Sequence, residues 1–292
     1  MPSALRRVAV LTHAVGDHTG SALRELAALR DPLGVQLLLP PDEVAKHPTA
    51  LDLGYAAIAE EELRAADVCL VFGGDGTILR ALDRLLGTRV PTIGVNFGNV
   101  GFLASLPQEG WGPGLAEVVG GRYTIVELLT VEARLGGERF VGVNDVVLSR
   151  IEPRGVLLLD YAISGTPIGE MRCDGMIIAS PAGSTAYNLS CDGPIVVWDA
   201  SALVLNFVAP HSLGFRPMVL RPDHVISVCN RSELYEAEVI VDGKVVGRLA
   251  REGFIEIGAS PLRARLLQLE GGSFYRNVEQ KLFGGPAPAD AG

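Results

Sequence analysis

Apolar runs of strand length alternate with one-sided helical stripes through the first 120 residues. Residues 8–11, 35–39, 67–72 and 90–95 each read as a buried strand, because apolar side chains run nearly unbroken through them. Between the first two, Ser21 predicts the N-cap of a helix to Arg30, with Leu23, Leu26, Ala27 and Leu29 on one face. Pro40-Pro41 stops the second strand, and the polar segment 42–62 predicts a connection with one short helix. After the third strand, a helix is predicted from Thr77 to Leu86, with Ile78, Leu79, Leu82, Leu85 and Leu86 facing inward. Such alternation predicts an α/β domain with an open, mainly parallel sheet and its ligand at the carboxyl ends of the strands.

The rhythm changes near Gly120-Gly121. Residues 131–135, Gly136-Gly137 and residues 139–143 predict a hairpin. Short strands are expected over 146–149, 156–164, 176–180, 203–209, 224–229, 238–241 and 262–269, with Asp242-Gly243 as a tight turn. Few helical stripes interrupt them. Residues 121–272 therefore predict a second, all-β domain of β-sandwich type, after an α/β nucleotide-binding domain over 1–120. The amphipathic segment 273–283 is expected to pack back on the first domain. Residues 284–292, rich in Pro, Ala and Gly, are expected to form a disordered tail.

Composition narrows the function. The 292 residues are 48% hydrophobic and 20% charged, an ordinary globular balance. A net charge of −9 argues against a nucleic-acid partner, which wants a basic surface. Cys69, Cys173, Cys191 and Cys229 include no CxxC pair and read as reduced structural thiols. No apolar run approaches the ~18 residues of a membrane span, and residues 8–11 are too short for the apolar stretch of a signal sequence, so none is expected. The expected compartment is the cytoplasm, with no membrane partner.

Candidate chemistry centres on Gly73-Gly74-Asp75-Gly76-Thr77, which joins a buried strand to a helix. Glycines let backbone N–H groups approach phosphate oxygens, and a helix N-terminus favours an anion. Asp75 is out of place in an anion cradle unless it binds a metal or takes a proton; as a plain turn, the stretch would use it as an N-cap. Asn144-Asp145 can bond the neighbouring hydroxyls of a ribose, or can simply cap a turn. Arg172, Asp174 and the segment Ser184, Thr185, Ala186, Tyr187, Asn188, Leu189 and Ser190 bring hydroxyls and an amide beside a strand, suited to a purine edge or a carboxamide. His211 reads as a hydrogen-bonded structural histidine.

GGDGT followed by Ile78-Leu79-Arg80 resembles the NAD kinase signature. Gly94-Val95-Asn96 to Gly101-Phe102-Leu103, Asn144-Asp145, Asp174-Gly175 through Gly193-Pro194, Pro210 to Leu213 with Arg216-Pro217, and Asp242-Gly243 are similar to that family's further blocks, in order. The resemblance spans Val68 to Lys244. GGDGT alone is shared with lipid kinases of the diacylglycerol and sphingosine type, whereas the GSTAY block is not. It implies an α/β domain, a β-sandwich domain and a site between them. It also implies Asp75 as catalytic acid residue, Gly76 and Arg80 beside it, and Asn144, Asp145, Arg172, Asp174 and 185–190 on the dinucleotide. Phosphate would lie against Gly73, Gly74, Gly76 and Thr77. The implied reaction moves a phosphoryl group from ATP or polyphosphate, with Mg²⁺ or another divalent cation, to the 2′-hydroxyl of the adenosine ribose of NAD; no metal ligand is identified. Members are commonly homodimers or homotetramers. Ala182, Cys191-Asp192 and Lys244 depart from the usual residues, and Lys244 is expected near the site, offsetting Asp192. A lipid kinase and a non-catalytic dinucleotide sensor are the rival readings.

Overall fold

The computed structural model describes residues 5–13, 17–97, 101–151, 155–270 and 274–284. The chain divides into two compact units, residues 1–127 with 264–292, and residues 128–263. The first stretch of chain carries β1 (Arg7–Thr12), α1 (Asp17–Leu33), β2 (Gln36–Leu39), α2 (Pro41–Lys46), β3 (Ala56–Ala57), α3 (Glu60–Leu63), β4 (Val68–Gly73), α4 (Asp75–Arg84), β5 (Thr92–Asn96) and α5 (Trp111–Val119). Then follow β6 (Tyr123–Leu135), β7 (Glu138–Gly142), β8 (Asp145–Arg150), β9 (Leu157–Ile163), β10 (Thr166–Cys173) and β11 (Gly175–Ala179). A short α6 (Tyr187–Ser190) precedes β12 (Leu203–Val208), β13 (Met218–Leu220), β14 (Ile226–Asn230), β15 (Ala237–Val241), β16 (Lys244–Leu249), β17 (Phe254–Leu269) and α7 (Phe274–Phe283).

The first unit is an α/β domain. Its strands pair in parallel in the order β5-β4-β1-β2-β3, and the end of β17 joins β5 at Leu266 and Thr92. Val8 and Val10, Leu70 and Phe72, and Ile93 and Val95 bury one face against Leu26 of α1 and Trp111 and Leu115 of α5. Phe72 meets Trp111 edge-on at 5.3 Å. The intervening residues Ala9, Cys69 and Val71 are buried too. On that side α4 closes down over Gly94, where a Cβ would lie 2.8 Å from Ile78 Cγ1. A sheet covered on both faces needs apolar residues at every position, which is why these strands read as unbroken runs.

The second unit is mostly β. One antiparallel sheet runs β10-β9-β14-β17 and takes in the β6–β7 hairpin; the other runs β13-β12-β11-β8-β15-β16. Leu157, Leu159 and Tyr161 from the first share one core with Val146, Leu148, Met176, Ile178, Leu205 and Phe207 from the second. Each such side chain contributes roughly 1.5–3 kcal/mol by its burial, so the facing layers make a sandwich.

Several boundaries differ from the sequence expectation, each for a local reason. The helix expected from Ser21 begins at Asp17, because Thr19, Ala22, Leu23 and Leu26 form one buried face a turn longer than the apolar stripe. The helix after the glycine turn begins at Asp75 with Gly74 as N-cap, and Asp75 caps nothing. Strands β10 and β13 went unread: both are edges, β10 contains Pro167 and Gly169 at an irregularity, and β13 is three residues long. The unit boundaries fall near 127 and 263 rather than 120 and 272, inside the continuous strands β6 and β17. Segment 274–283 is helix α7 of the first unit, where Asn277 Nδ2 donates to the Phe102 carbonyl at 2.6 Å. The expected tail from 285 onward, and Gly98, Asn99 and Val100 of the second block, lie outside the described residues.

Candidate active site

In the first unit, β4 ends at Gly73 and α4 starts two residues later, so the turn must be tight. A Cβ on Gly73 would lie 2.6 Å from Thr77 Oγ1, and packing alone demands a glycine there. Gly74 and Gly76 differ. Neither has a left-handed backbone, and a Cβ on either would meet nothing within 4 Å. They leave backbone uncovered at the N-terminus of a ten-residue helix, the geometry that favours an anion. Beside them opens a cavity of about 460 Å³ lined by His13, Gly74, Gly76, Thr77, Arg80 and Phe97. Arg80 is exposed at its edge, and His13 Nδ1 lies 3.1 Å from Thr77 Oγ1.

Neither His13 nor Phe97 stands out in the sequence. Each follows a strand that flanks β4: His13 comes after β1, and Phe97 after β5. Ligand sites at strand carboxyl ends would have pointed to both once that order was known.

Asp75 is half-buried, and both its oxygens are engaged. Oδ2 accepts the Phe102 N–H at 2.7 Å and Oδ1 the Leu103 N–H at 3.1 Å. A Cβ on Gly101 would lie 2.5 Å from Asp75 Cγ, so glycine there makes room for the carboxylate. The second block of the sequence thus works as a bracket for the acid of the first. Each bonded oxygen keeps a further lone pair for a proton or a metal.

In the second unit, Asn144 and Asp145 stand at the start of β8, close to the end of β11 and the β15–β16 turn. Ser180 Oγ donates to the Val143 carbonyl at 2.6 Å, and the Ser180 N–H to the Asn144 carbonyl at 2.8 Å. Gly183 lies flat on Asn144, where a Cβ would be 2.5 Å from its carbonyl carbon. Asp145 is buried, and its carboxyl is pushed up to about 7 by burial first and by neighbouring Asp242 second. Asn144 Oδ1 is buried without a hydrogen-bond partner among the described residues. An orphaned acceptor of this kind costs about 1–3 kcal/mol, which a ligand hydroxyl would offset.

The segment 184–190 divides into structural and open groups. Ser184 and Asn188 are fully buried. Asn188 Nδ2 donates to the Ser184 and Pro194 carbonyls at 3.0 and 3.1 Å, and its Oδ1 accepts from Asn206 Nδ2 at 3.2 Å. Ser184 Oγ donates to the Pro181 carbonyl at 2.6 Å and accepts the Val196 N–H at 2.9 Å. Thr185 Oγ1 donates to the Ala182 carbonyl at 3.0 Å. These groups build the loop, whereas residue type alone predicts that they face a ligand. Tyr187 and Ser190 are exposed, with Ala186 and Leu189 half-buried. The Tyr187 phenol is raised by partial burial, then by Cys191, Asp174 and Asp145, so its ring shares a neighbourhood with both acids. Arg172 is exposed; Asp174 pairs with Arg150 at 3.1 Å. His211, expected to be hydrogen-bonded and structural, is exposed, and its backbone N–H donates to the Arg172 carbonyl at 2.8 Å. Lys244 and Asp192 are both exposed.

Two family models match the chain. The ATP-NAD kinase N-terminal domain covers residues 40–123, and the ATP-NAD kinase C-terminal domain covers 143–269. The chain belongs to the NAD kinase family. It is 34% identical over 230 residues to the NAD kinase of Helicobacter pylori strain P12, covering 79% of this chain and 80% of that protein. With the NAD kinase of Azoarcus sp. strain BH72 it is 35% identical over 250 residues, 82% and 85% of the two chains. Among solved structures, a yeast NADH kinase complexed with NADH superposes with a TM-score of 0.85 at 22% identity, over 99% of this chain and 91% of that one. An NAD kinase from Archaeoglobus fulgidus in complex with ATP gives 0.73 at 25% identity, over 95% and 97%. The glycine turn of this NAD kinase relative falls inside the first matched span, and Asn144, Asp145, 172–190 and Lys244 fall inside the second.

Proposed function

We propose that this protein transfers a phosphoryl group from ATP to the 2′-hydroxyl of the adenosine ribose of NAD, giving NADP. The observation that carries the reading is Asp75: a carboxylate aimed by two backbone N–H groups, at the mouth of a helix whose glycines stand open beside a cavity edged by Arg80. The A. fulgidus relative, solved with ATP, supports ATP as donor. Gly74, Gly76, Thr77 and Arg80 hold donor phosphates in this reading. Asn144, Asp145, Arg172, Asp174 and the open positions of 185–190 hold the dinucleotide, and Asn188 shapes their loop.

Asp75 orients the ribose hydroxyl and takes its proton late, as the bond to phosphorus forms. A loose phosphoryl-transfer transition state asks for little more activation of the nucleophile. Arg80 and the α4 N-terminus stabilise charge on the transferring oxygens. Among the described residues no three His, Cys, Asp or Glu side chains gather around a common point. Asp75 would be the carboxylate that helps to hold a magnesium ion carried mainly by phosphates. When bound, the ion neutralises phosphate charge.

Among the described residues, no helix is long and apolar enough to cross a membrane. A homo-oligomer, implied by the family resemblance, is part of this proposal, and light scattering tests it. The central test is a coupled assay of NADP formation from NAD with purified protein. NADP is expected with ATP and Mg²⁺ together; its absence under all donors, polyphosphate included, rejects the reading.

A further inference from the structure

The carboxylate of Asp242 accepts three consecutive backbone N–H groups from a distant part of the chain. Oδ2 takes Val143 at 2.7 Å, and Oδ1 takes Asn144 at 2.8 Å and Asp145 at 3.1 Å. The Asp242 N–H donates back to the Asp145 carbonyl at 3.1 Å. Asp242 lies in the β15–β16 turn at φ +47°, a backbone that Asp and Asn tolerate better than most residues. An Asp in such a turn ordinarily bonds its own neighbours; this one reaches into another connection. Gly142 leaves room for the reach, since a Cβ there would lie 2.9 Å from Asp242 Oδ1. From the opposite side, Ser180 holds the Val143 and Asn144 carbonyls. Residues 143–145 are thus gripped from two elements, and the three bonds to Asp242 are the stronger for ending on a charge.

We propose that Asp242 is a positioning residue: its carboxylate fixes the backbone from which the Asn144 and Asp145 side chains reach the dinucleotide. This rests on the reading that the pair binds the ribose. The same charge is also felt by Asp145. The acidic groups facing Asp145 are Asp242 from the β15–β16 turn and Tyr187 from α6. Removing the charge at 242 lowers the pH at which Asp145 ionises, an effect that a scaffold without charge would not produce.

Asp242→Asn keeps the shape and tolerates the backbone, but turns an NH₂ towards the Val143 N–H or loses the shared acceptor. The Michaelis constant for NAD is expected to rise roughly tenfold, as for loss of one charge-assisted bond. The constant for ATP and kcat should stay within about twofold, and the pH inflection of NAD binding should move down. Asn144→Ala is measured alongside. If it leaves NAD binding unchanged, the ribose reading itself fails and this proposal with it. If Asn144→Ala weakens NAD binding and Asp242→Asn does not, only the positioning role is overturned. Parallel losses in NAD binding, ATP binding and Tm also overturn it, because they describe a general scaffold. Should Asp242→Asn not fold, amide hydrogen exchange on the unaltered protein decides: slow exchange at 143–145 without ligand supports the grip, and fast exchange overturns it.

Discussion

The glycine turn after β4 and the 180–193 segment after β11 are both rich in small residues, yet glycine does opposite work in them. Gly74 and Gly76 border empty space, whereas Gly183 is jammed against the Asn144 backbone and a Cβ on Gly193 would overlap the Asn188 amide. The polar groups divide the same way. Asp75 is half-buried beside a cavity, while Ser184 and Asn188 are sealed and bonded inward. The glycines of the first region leave space uncovered; those of the second, with Ser184 and Asn188, hold a loop in shape while Tyr187 and Ser190 stay exposed. Glycine content alone does not separate them. The space a Cβ would meet does.

The largest effect is expected at Asp75. Asp75→Asn should lower kcat by roughly 10²–10⁴-fold, the range for loss of a general base, with NAD binding near normal. Recovery at high Mg²⁺ or Mn²⁺ would instead make Asp75 a metal ligand, and full activity would remove it from the chemistry altogether.

Next comes Gly183→Ala, which drives a methyl into backbone that cannot swing aside. Overpacking of this kind costs about 1–3 kcal/mol, read as a lower urea midpoint. An unchanged midpoint would show that the 180–193 loop has slack, and the contrast with the glycine turn would collapse. Gly76→Ala is the counterpart. It should leave stability level, or raise it by up to about 1 kcal/mol because alanine favours a helix, while weakening ATP. If ATP binding is untouched, the open space at Gly76 is not where phosphate lies.

The last effect is one of pH and concerns Asp145. Its carboxyl rises from 3.8 to about 7 in the folded protein. Between these values the folded chain keeps a proton that the unfolded chain releases, so stability falls as pH rises through this window and levels off above it. Asp145→Asn removes that slope. The variant should gain on the parent more at pH 8 than at pH 4.5, measured by urea unfolding. An equal difference at both would mean that Asp145 is not held in its neutral form.

Much of the fold was legible because burial on both faces writes itself into the chain: residues 68–72 can hardly be anything but an inner strand. Edges were not. β10 and β13 carry the Pro, Gly or short length that an edge permits, and the unit boundaries hide inside β6 and β17, where no break in composition marks them. In the site, Asp75 stands out because a carboxylate among glycines suited to an anion needs a reason. His13 and Phe97 carry no such signal; only the strand order places them beside Thr77 and Arg80. Ser184 and Asn188 misled because residue type tells what a side chain can bond, not whether its bonds are already taken. Asp242 was read as a turn, which it is, with no hint of its grip on residues 143–145.

The return of the chain through β17 and α7 also sets the order in which the protein becomes complete during synthesis. The first unit borrows Leu267 for its core, the Leu267 carbonyl for Ser105 Oγ, and Asn277 to hold the Phe102 carbonyl. Phe102 is the residue whose N–H aims Asp75. At roughly 5–20 residues per second on the ribosome, β1 to β5 wait on the order of ten seconds for these partners. A nascent chain that has made the whole glycine turn therefore still lacks the back support of its acid. The Asn277 bond to the Phe102 carbonyl forms only when that residue has emerged, and a chain cut short before that point carries the motif without this support.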